Sequence, residues 1–126
     1  ESVAFGDIDL ESHREWEEKV CDAAHLSSLL PLWQQNRKQL VYDMIDHGIK
    51  AIIVSCDKEL LGESFLGREI TKDLVKELED IGVDACGENG EYHTVVLDCP
   101  LFASPIQLPE FKKKSHQNYC FLTWNL

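Results

Sequence analysis

The run Cys86-Gly87-Glu88-Asn89-Gly90-Glu91-Tyr92-His93-Thr94 gathers the side chains of this sequence best suited to chemistry. Glu88 and Glu91 stand three apart, each directly after a glycine, so the backbone beneath them can approach a ligand closely. Concentrated negative charge in a fixed geometry can hold Mg2+, orient an ammonium ion, or take a proton from an attacking amine. Asn89 offers an amide that could orient either carboxylate, and Gly87 and Gly90 shape the turn. Tyr92 and Thr94 follow on a strand, where alternate residues line a cleft or serve packing. The same letters also spell a hairpin, because Asn-Gly is a strong turn signal beside which a glutamate can simply be surface charge.

Three more residues are candidates for substrate binding. Asp7 follows the apolar run Val3-Ala4-Phe5 and Gly6, at the C-terminal end of a strand, where open α/β sheets place ligands. It reads equally as a cap for the helix that follows. Arg37 and Arg68 carry guanidinium groups that match carboxylate or phosphate oxygens two at a time, although in so acidic a chain an arginine also serves as a surface ion-pair partner. A zinc site from Cys56, Cys86, His93 and Cys99 lacks the close-spaced ligand pairs zinc uses. Cys86 and Cys99 flank a strand as ordinary apolar residues, a poor setting for a nucleophile paired with His93. Trp16 and Trp33 read as core residues rather than substrate platforms.

The elements that must position these groups follow from the apolar spacing. Residues 3–5 suggest a short buried strand. Trp16, Val20, Ala23 and Ala24 recur at helical intervals over residues 10–24, with Ser12 and Glu15 as a capping-box pair and Glu11, Glu15, Glu17 and Glu18 on a solvated face. A second helix is predicted over about residues 34–47, with Leu40, Val41, Met44 and Ile45 inward and Gly48 stopping it. Residues 49–54 read as a strand buried on both faces. A third helix starts after Thr71, packs Leu74, Val75, Leu78 and Ile81, and stops at Gly82. "Helix, glycine, β-branched residue" occurs twice, the joint from which layers of parallel strands are built. Past Gly82 the pattern changes: residues 92–99 and 118–124 are strand-like, Pro100, Pro105 and Pro109 interrupt, and Lys112-Lys113-Lys114 reads as a solvated turn. The division predicted is 1–82 and 83–126. Parallel strands buried on both faces need neighbours, so either a second subunit, as in a homo-oligomer, or residues outside this chain should complete the sheet.

Bulk properties narrow the partners. A chain of 126 residues, 44% apolar, suits one compact domain or a piece of one. Its net charge of -11 opposes nucleic-acid phosphates and anionic membranes. The five cysteines include no CxxC pair and read as reduced thiols of a cytoplasmic protein. No apolar stretch is long enough to cross a bilayer.

The run from Gly87 to Thr94, with Asp98-Cys99-Pro100-Leu101-Phe102 after it, resembles the signature of the diphthine-ammonia ligase family, a branch of the ATP pyrophosphatases of the PP-loop superfamily. Gly6-Asp7-Ile8, His13-Arg14, Pro31-Leu32-Trp33 with Asn36-Arg37, and Leu66-Gly67-Arg68 match in the same order, so the resemblance spans nearly the whole chain. It implies an α/β fold, part of a Rossmann-like (HUP-type) parallel sheet followed by a smaller α+β C-terminal part. It also implies a reaction in which ATP, with Mg2+, activates a carboxylate as an acyl-adenylate that ammonia converts to an amide, releasing AMP and pyrophosphate. The acceptor would be diphthine on elongation factor 2, or another acid in a bacterial source. Glu88, Asn89 and Glu91 would be catalytic, with Glu88 and Glu91 on the metal. Asp7, Arg37, Arg68, Gly87, Gly90, Tyr92 and Thr94 would bind substrate. Asn89 stands where many eukaryotic relatives carry glycine, and His93 follows the archaeal and bacterial form. The family's Ser-Gly-Gly-x-Asp-Ser phosphate loop has no counterpart in these residues, so this chain alone should not turn over ATP. A non-catalytic acidic binding or regulatory module, or a magnesium or ammonium sensor, are the competing expectations.

Overall fold

A computed structural model describes residues 1–124 of the chain. Its contacts divide the chain into two units, Glu1–Leu40 and Val41–Leu126. Gly82, where the sequence changes character, falls inside the second.

The first unit is a β-α-β arrangement. Strand β1 (Ser2–Ala4) pairs in parallel with β2 (Ser27–Leu29), Val3 opposite Ser28, and helix α1 (Glu11–Ala23) connects them. The Phe5 N–H extends the pairing by donating to the Leu29 carbonyl at 2.9 Å. The expected capping box is not formed: the helix begins after Leu10, whose side chain caps nothing. Its faces are also reversed from expectation. Glu17 and Cys21 are buried, whereas Trp16 is 62% and Val20 43% exposed. A pattern of apolar letters marks a helix's inner face only when neighbouring elements cover it, and within this unit they cover the Glu17 side.

Helix α2 (Arg37–Asp46) runs across the division between the units. Asn36 caps it, its side-chain oxygen accepting the Gln39 N–H at 3.0 Å. The helix ends ahead of Gly48, as predicted; Val41 is buried, but Met44 is 42% exposed.

The second unit is built on an antiparallel sheet in the order β4-β3-β6-β5, from β3 (Lys50–Asp57), β4 (Tyr92–Asp98), β5 (Phe111–His116) and β6 (Tyr119–Trp124). Strand β3 is central. Ile53 faces Thr94 across one ladder and Cys56 faces Cys120 across the other, both antiparallel. The mixed α/β class therefore holds, but among the described residues parallel pairing is confined to β1 and β2. A continuous apolar run reports that a strand is flanked on both sides; it says nothing about the direction of its neighbours, and the parallel reading of residues 49–54 failed on that ambiguity.

Helix α3 (Lys72–Asp80) lays Leu74, Val75 and Leu78 into the core with Ile53, Cys56 and Cys120, all six at most 1% exposed. Thr71 caps it as predicted, accepting the Leu74 N–H at 3.1 Å, and Gly82 follows in the left-handed region at φ +79°. Ile81, expected inward, is 49% exposed. The second "helix, glycine, β-branched" joint leads into loop, not strand, although Val83 is buried. Lys112-Lys113-Lys114, expected as a turn, forms exposed strand β5, held by its ladder to β6. Among the described residues no helix is long and apolar enough to cross a membrane.

Candidate functional site

The acidic glycine turn belongs to the second unit, between α3 and β4. The Asp84 carboxylate accepts the Cys86 N–H at 3.0 Å, its carbonyl accepts the Gly87 N–H at 3.1 Å, and the Gly87 carbonyl accepts the Gly90 N–H at 3.1 Å. Gly87 is required here. Its φ is +66°, and a Cβ would lie 3.0 Å from the Tyr92 carbonyl oxygen and 3.1 Å from the Tyr92 ring. The turn is thus wrapped directly onto Tyr92.

Tyr92 anchors that wrap. It is 6% exposed, and its phenol donates back to the Ala85 carbonyl. Burial pushes its pKa up, so the phenol keeps its proton. On the other side the Glu91 carbonyl accepts the Asp57 N–H at 2.9 Å, tying the turn to the end of β3.

Within the turn, Glu91 and Asn89 form a clasp. One Glu91 carboxylate oxygen accepts the Asn89 N–H at 3.0 Å and the other accepts the Asn89 side-chain amide at 3.2 Å. Glu88 and Glu91 are both half-buried, while Asn89 is exposed. His93 and Thr94 are exposed on β4, opposite Ser55 and Ile53. The arrangement presents two carboxylates on a fixed backbone, one oriented by the amide between them. Among the described residues no cluster of three or more His, Cys, Asp or Glu is placed to hold a metal. Mg2+ characteristically uses one or two carboxylates together with phosphate oxygens and water, and two glutamates fit that smaller demand.

The two arginines are engaged elsewhere. Arg68, in the second unit, grips both carboxylate oxygens of Glu77 at 2.9 and 2.5 Å and lies 5.0 Å from the centre of the Phe65 ring. Arg37, in the first, grips Asp9 at 2.8 and 2.5 Å and holds that carboxylate below its usual range. Both show the surface ion-pair geometry that the sequence left open.

Asp7 belongs to the first unit and does not cap α1. Its carboxylate meets the His13 imidazole at 2.6 Å and is hydrogen-bonded to Glu17, and these contacts keep its pKa low. Burial first, then the bond to Asp7, raises Glu17 to about 7. Asp7, His13, Trp16 and Glu17 together line a concavity of about 350 Å³. Glu17 and Trp16 were missed as site candidates: the sequence presents the first as one acid among several on a polar face and the second as a core aromatic. Trp33, also expected in the core, is half-buried with Arg14 5.4 Å from the centre of its ring.

The five cysteines are free thiols. Cys56 and Cys120 approach to 3.3 Å between sulfurs in the core, where burial pushes Cys56 up to about 12, leaving it protonated and unreactive.

A mixed α/β chain carrying a glycine-braced carboxylate turn ahead of an edge strand of an antiparallel sheet is the class these features define. Residues 36–125 match the family described as the diphthamide synthase C-terminal domain, and the chain belongs to that family. It is similar to diphthine-ammonia ligase of Mus musculus, 36% identical over 128 residues that cover 96% of this chain and 47% of that protein. The corresponding ligase of Schizosaccharomyces pombe is 35% identical, with 97% of this chain and 21% of the relative covered, and that of Homo sapiens is 35% identical, with 84% and 41% covered. The chain thus spans about half the length of these relatives, or less.

Proposed function

We propose that this chain is the acceptor-side part of an AMP-forming amide ligase, joining ammonia to a carboxylate at the expense of ATP. The observation that carries this is the turn at residues 86–92, in which Gly87 closes on Tyr92 and Asn89 clasps Glu91. That bracing serves a pair of carboxylates whose direction matters. The names of the relatives, diphthine-ammonia ligase, support the reaction class. ATP, when bound with Mg2+, would supply activation of the acceptor carboxylate, its phosphates being gripped by residues outside this chain.

Glu88 and Glu91 are the groups to hold the metal or to orient the incoming amine, and Asn89 fixes the aim of Glu91 through its two bonds. Tyr92 acts as a positioning residue, since its phenol is turned inward onto Ala85. Thr94, exposed on β4, is free to face an acceptor. Diphthine on elongation factor 2 is the acceptor the relatives' names suggest, and a different carboxylate fits the same chemistry. Five reduced thiols suit a reducing compartment such as the cytoplasm. The engagement of Arg37 with Asp9 and Arg68 with Glu77 favours a second reading, an acidic binding module without catalysis.

Isotope exchange between pyrophosphate and ATP, driven by candidate acids in the full-length protein, separates the two. Under the ligase reading, Glu91→Gln lowers amide formation about 100-fold while ATP affinity stays within about two-fold. Loss of ATP binding with normal amide formation at saturating ATP would refute the assignment of Glu91, and no exchange with any acid would favour the binding module.

A further inference from the structure

We propose that the outer edge of strand β5 receives an extended, sparsely acidic segment of a partner protein as a fifth strand, its carboxylates facing Lys112 and Lys114. The inference does not rest on amide formation. Strand β5 pairs with β6 on one side and, among the described residues, with no strand on the other, and all its residues are exposed. Alternate backbone N–H and C=O groups of such a strand point away from its neighbour, where another extended chain can bond to them.

The strand is held from its inner face. Lys113 stands opposite the buried Leu122, and its Nζ donates to the Glu63 carbonyl at 2.7 Å. The Phe111 ring lies so close over Gly67 that a Cβ there would come within 3.1 Å of it. Lys112 and Lys114, opposite Thr123 and Phe121, fall on the other face by the alternation of a strand. Neither meets a carboxylate among the described residues, whereas Arg14, Arg37, Lys50, Arg68 and Lys72 each sit against one. In a chain with 23 acidic residues and 12 basic ones, this edge keeps two ammonium groups side by side without an internal partner.

Geometry and charge select the occupant. Two residues along a strand is about 6.8 Å, the interval at which an extended partner repeats its own side chains on one face. A segment with a carboxylate at every second residue therefore meets both lysines in register, and each directly opposed pair of unlike charges adds to the backbone bonding. The net charge of -11 repels dense anions from a distance, which sets nucleic acid and anionic membranes at a disadvantage against a strand bearing two carboxylates. A second copy of β5 would oppose lysine to lysine. At the start of the strand Glu110 shares with Pro109, Lys112 and Thr123 a concavity of about 340 Å³, so the residue of the segment that reaches it is uncharged.

The test is fluorescence anisotropy of a short fluorescein-labelled peptide of alternating threonine and glutamate, titrated with the intact protein at low salt. Saturable binding is expected, and a peptide of the same composition with its glutamates grouped at one end should bind about 10-fold more weakly. Hydrogen exchange at the β5 amides turned away from β6 should slow when the alternating peptide binds. Lys112→Glu together with Lys114→Glu should weaken that peptide about 10-fold or more with an unchanged melting temperature, because both side chains are exposed. The same charge change at exposed positions elsewhere, Lys19→Glu with Lys76→Glu, should weaken it by under about two-fold. Absence of saturable binding, equal binding of the grouped peptide, unslowed exchange in β5 with peptide bound, or equal losses from the two double variants would each overturn the site. Single-stranded RNA or phosphatidylserine vesicles binding more tightly than the peptide, and losing that binding on Lys112→Glu with Lys114→Glu, would assign the lysines to phosphate and overturn it as well.

Discussion

The two units differ in where they keep their acidic side chains. In Val41–Leu126 the most deeply buried side chains, Ile53, Cys56, Leu74, Val75, Leu78 and Cys120, carry no charge, and the glutamates of the glycine turn are only half-buried. In Glu1–Leu40 the buried positions include Ile8 and Cys21 but also an acid, Glu17, while a tryptophan stands exposed beside it. A sheet with a complete apolar filling can carry a rigid reactive turn. A small β-α-β layer that buries a carboxyl has given up stability at that point, which is where ligand binding is most readily built.

The sharpest way to break this contrast is to truncate the core. Leu78→Ala should destabilise the second unit by about 3 kcal/mol, read as a lowered denaturant midpoint, because the cavity lies among residues that cannot close over it. Trp16→Ala in the first unit should by contrast change stability by under about 0.5 kcal/mol. Equal losses would show that the indole is packed after all.

A smaller effect should come from Tyr92→Phe, which leaves the Ala85 carbonyl without its buried donor. About 1–2 kcal/mol should be lost, and amide exchange at Gly87 and Gly90 should accelerate more than exchange in α3. Uniform acceleration would mean that the phenol supports the whole core and not the turn.

The third test sharpens the comparison through pH. Glu17 in the folded chain holds its proton up to about 7, against 4.5 when unperturbed, with Asp7, His13 and Glu18 acting on it. The folded state therefore binds more protons than the unfolded one in that window, and the stability of the first unit should fall as pH rises from about 4.5 to about 7, then level off. Thermal unfolding followed at α1 should show the slope, and Glu17→Gln should flatten it. A stability that rises across this window would contradict the burial of that carboxyl.

Much of this was legible in the letters. Helix stops at Gly48 and Gly82, the Thr71 cap, and strands β3, β4 and β6 follow from local chemistry that tertiary packing did not override. The glycine turn was legible as well, because Gly87 and Gly90 mark positions at φ +66° and +83° that other residues adopt only with strain. Strand direction was not legible, since β3 carries the same apolar run whichever way its partners point. Strand β2, with only Ser27, Ser28 and Leu29, is too short to show a period. Strand β5 was hidden by lysines that satisfy no strand propensity and are held in place by the ladder to β6 and, at Lys113, by a hydrogen bond to the Glu63 carbonyl. The concavity at Asp7 needed three dimensions, because only the fold tells Glu17 apart from Glu11, Glu15 and Glu18.

Strand β5 lies at one border of the four-stranded sheet, opposite the border formed by β4. A border strand offers unpaired backbone groups to any extended peptide, and Lys112, Lys113 and Lys114 make that offer unattractive to a second copy by mutual charge repulsion. A molecule with a net charge of -11 has placed its densest positive charge where it guards against sheet-to-sheet stacking. Raising the salt concentration screens that guard, so colloidal stability should depend on ionic strength through this border above all others.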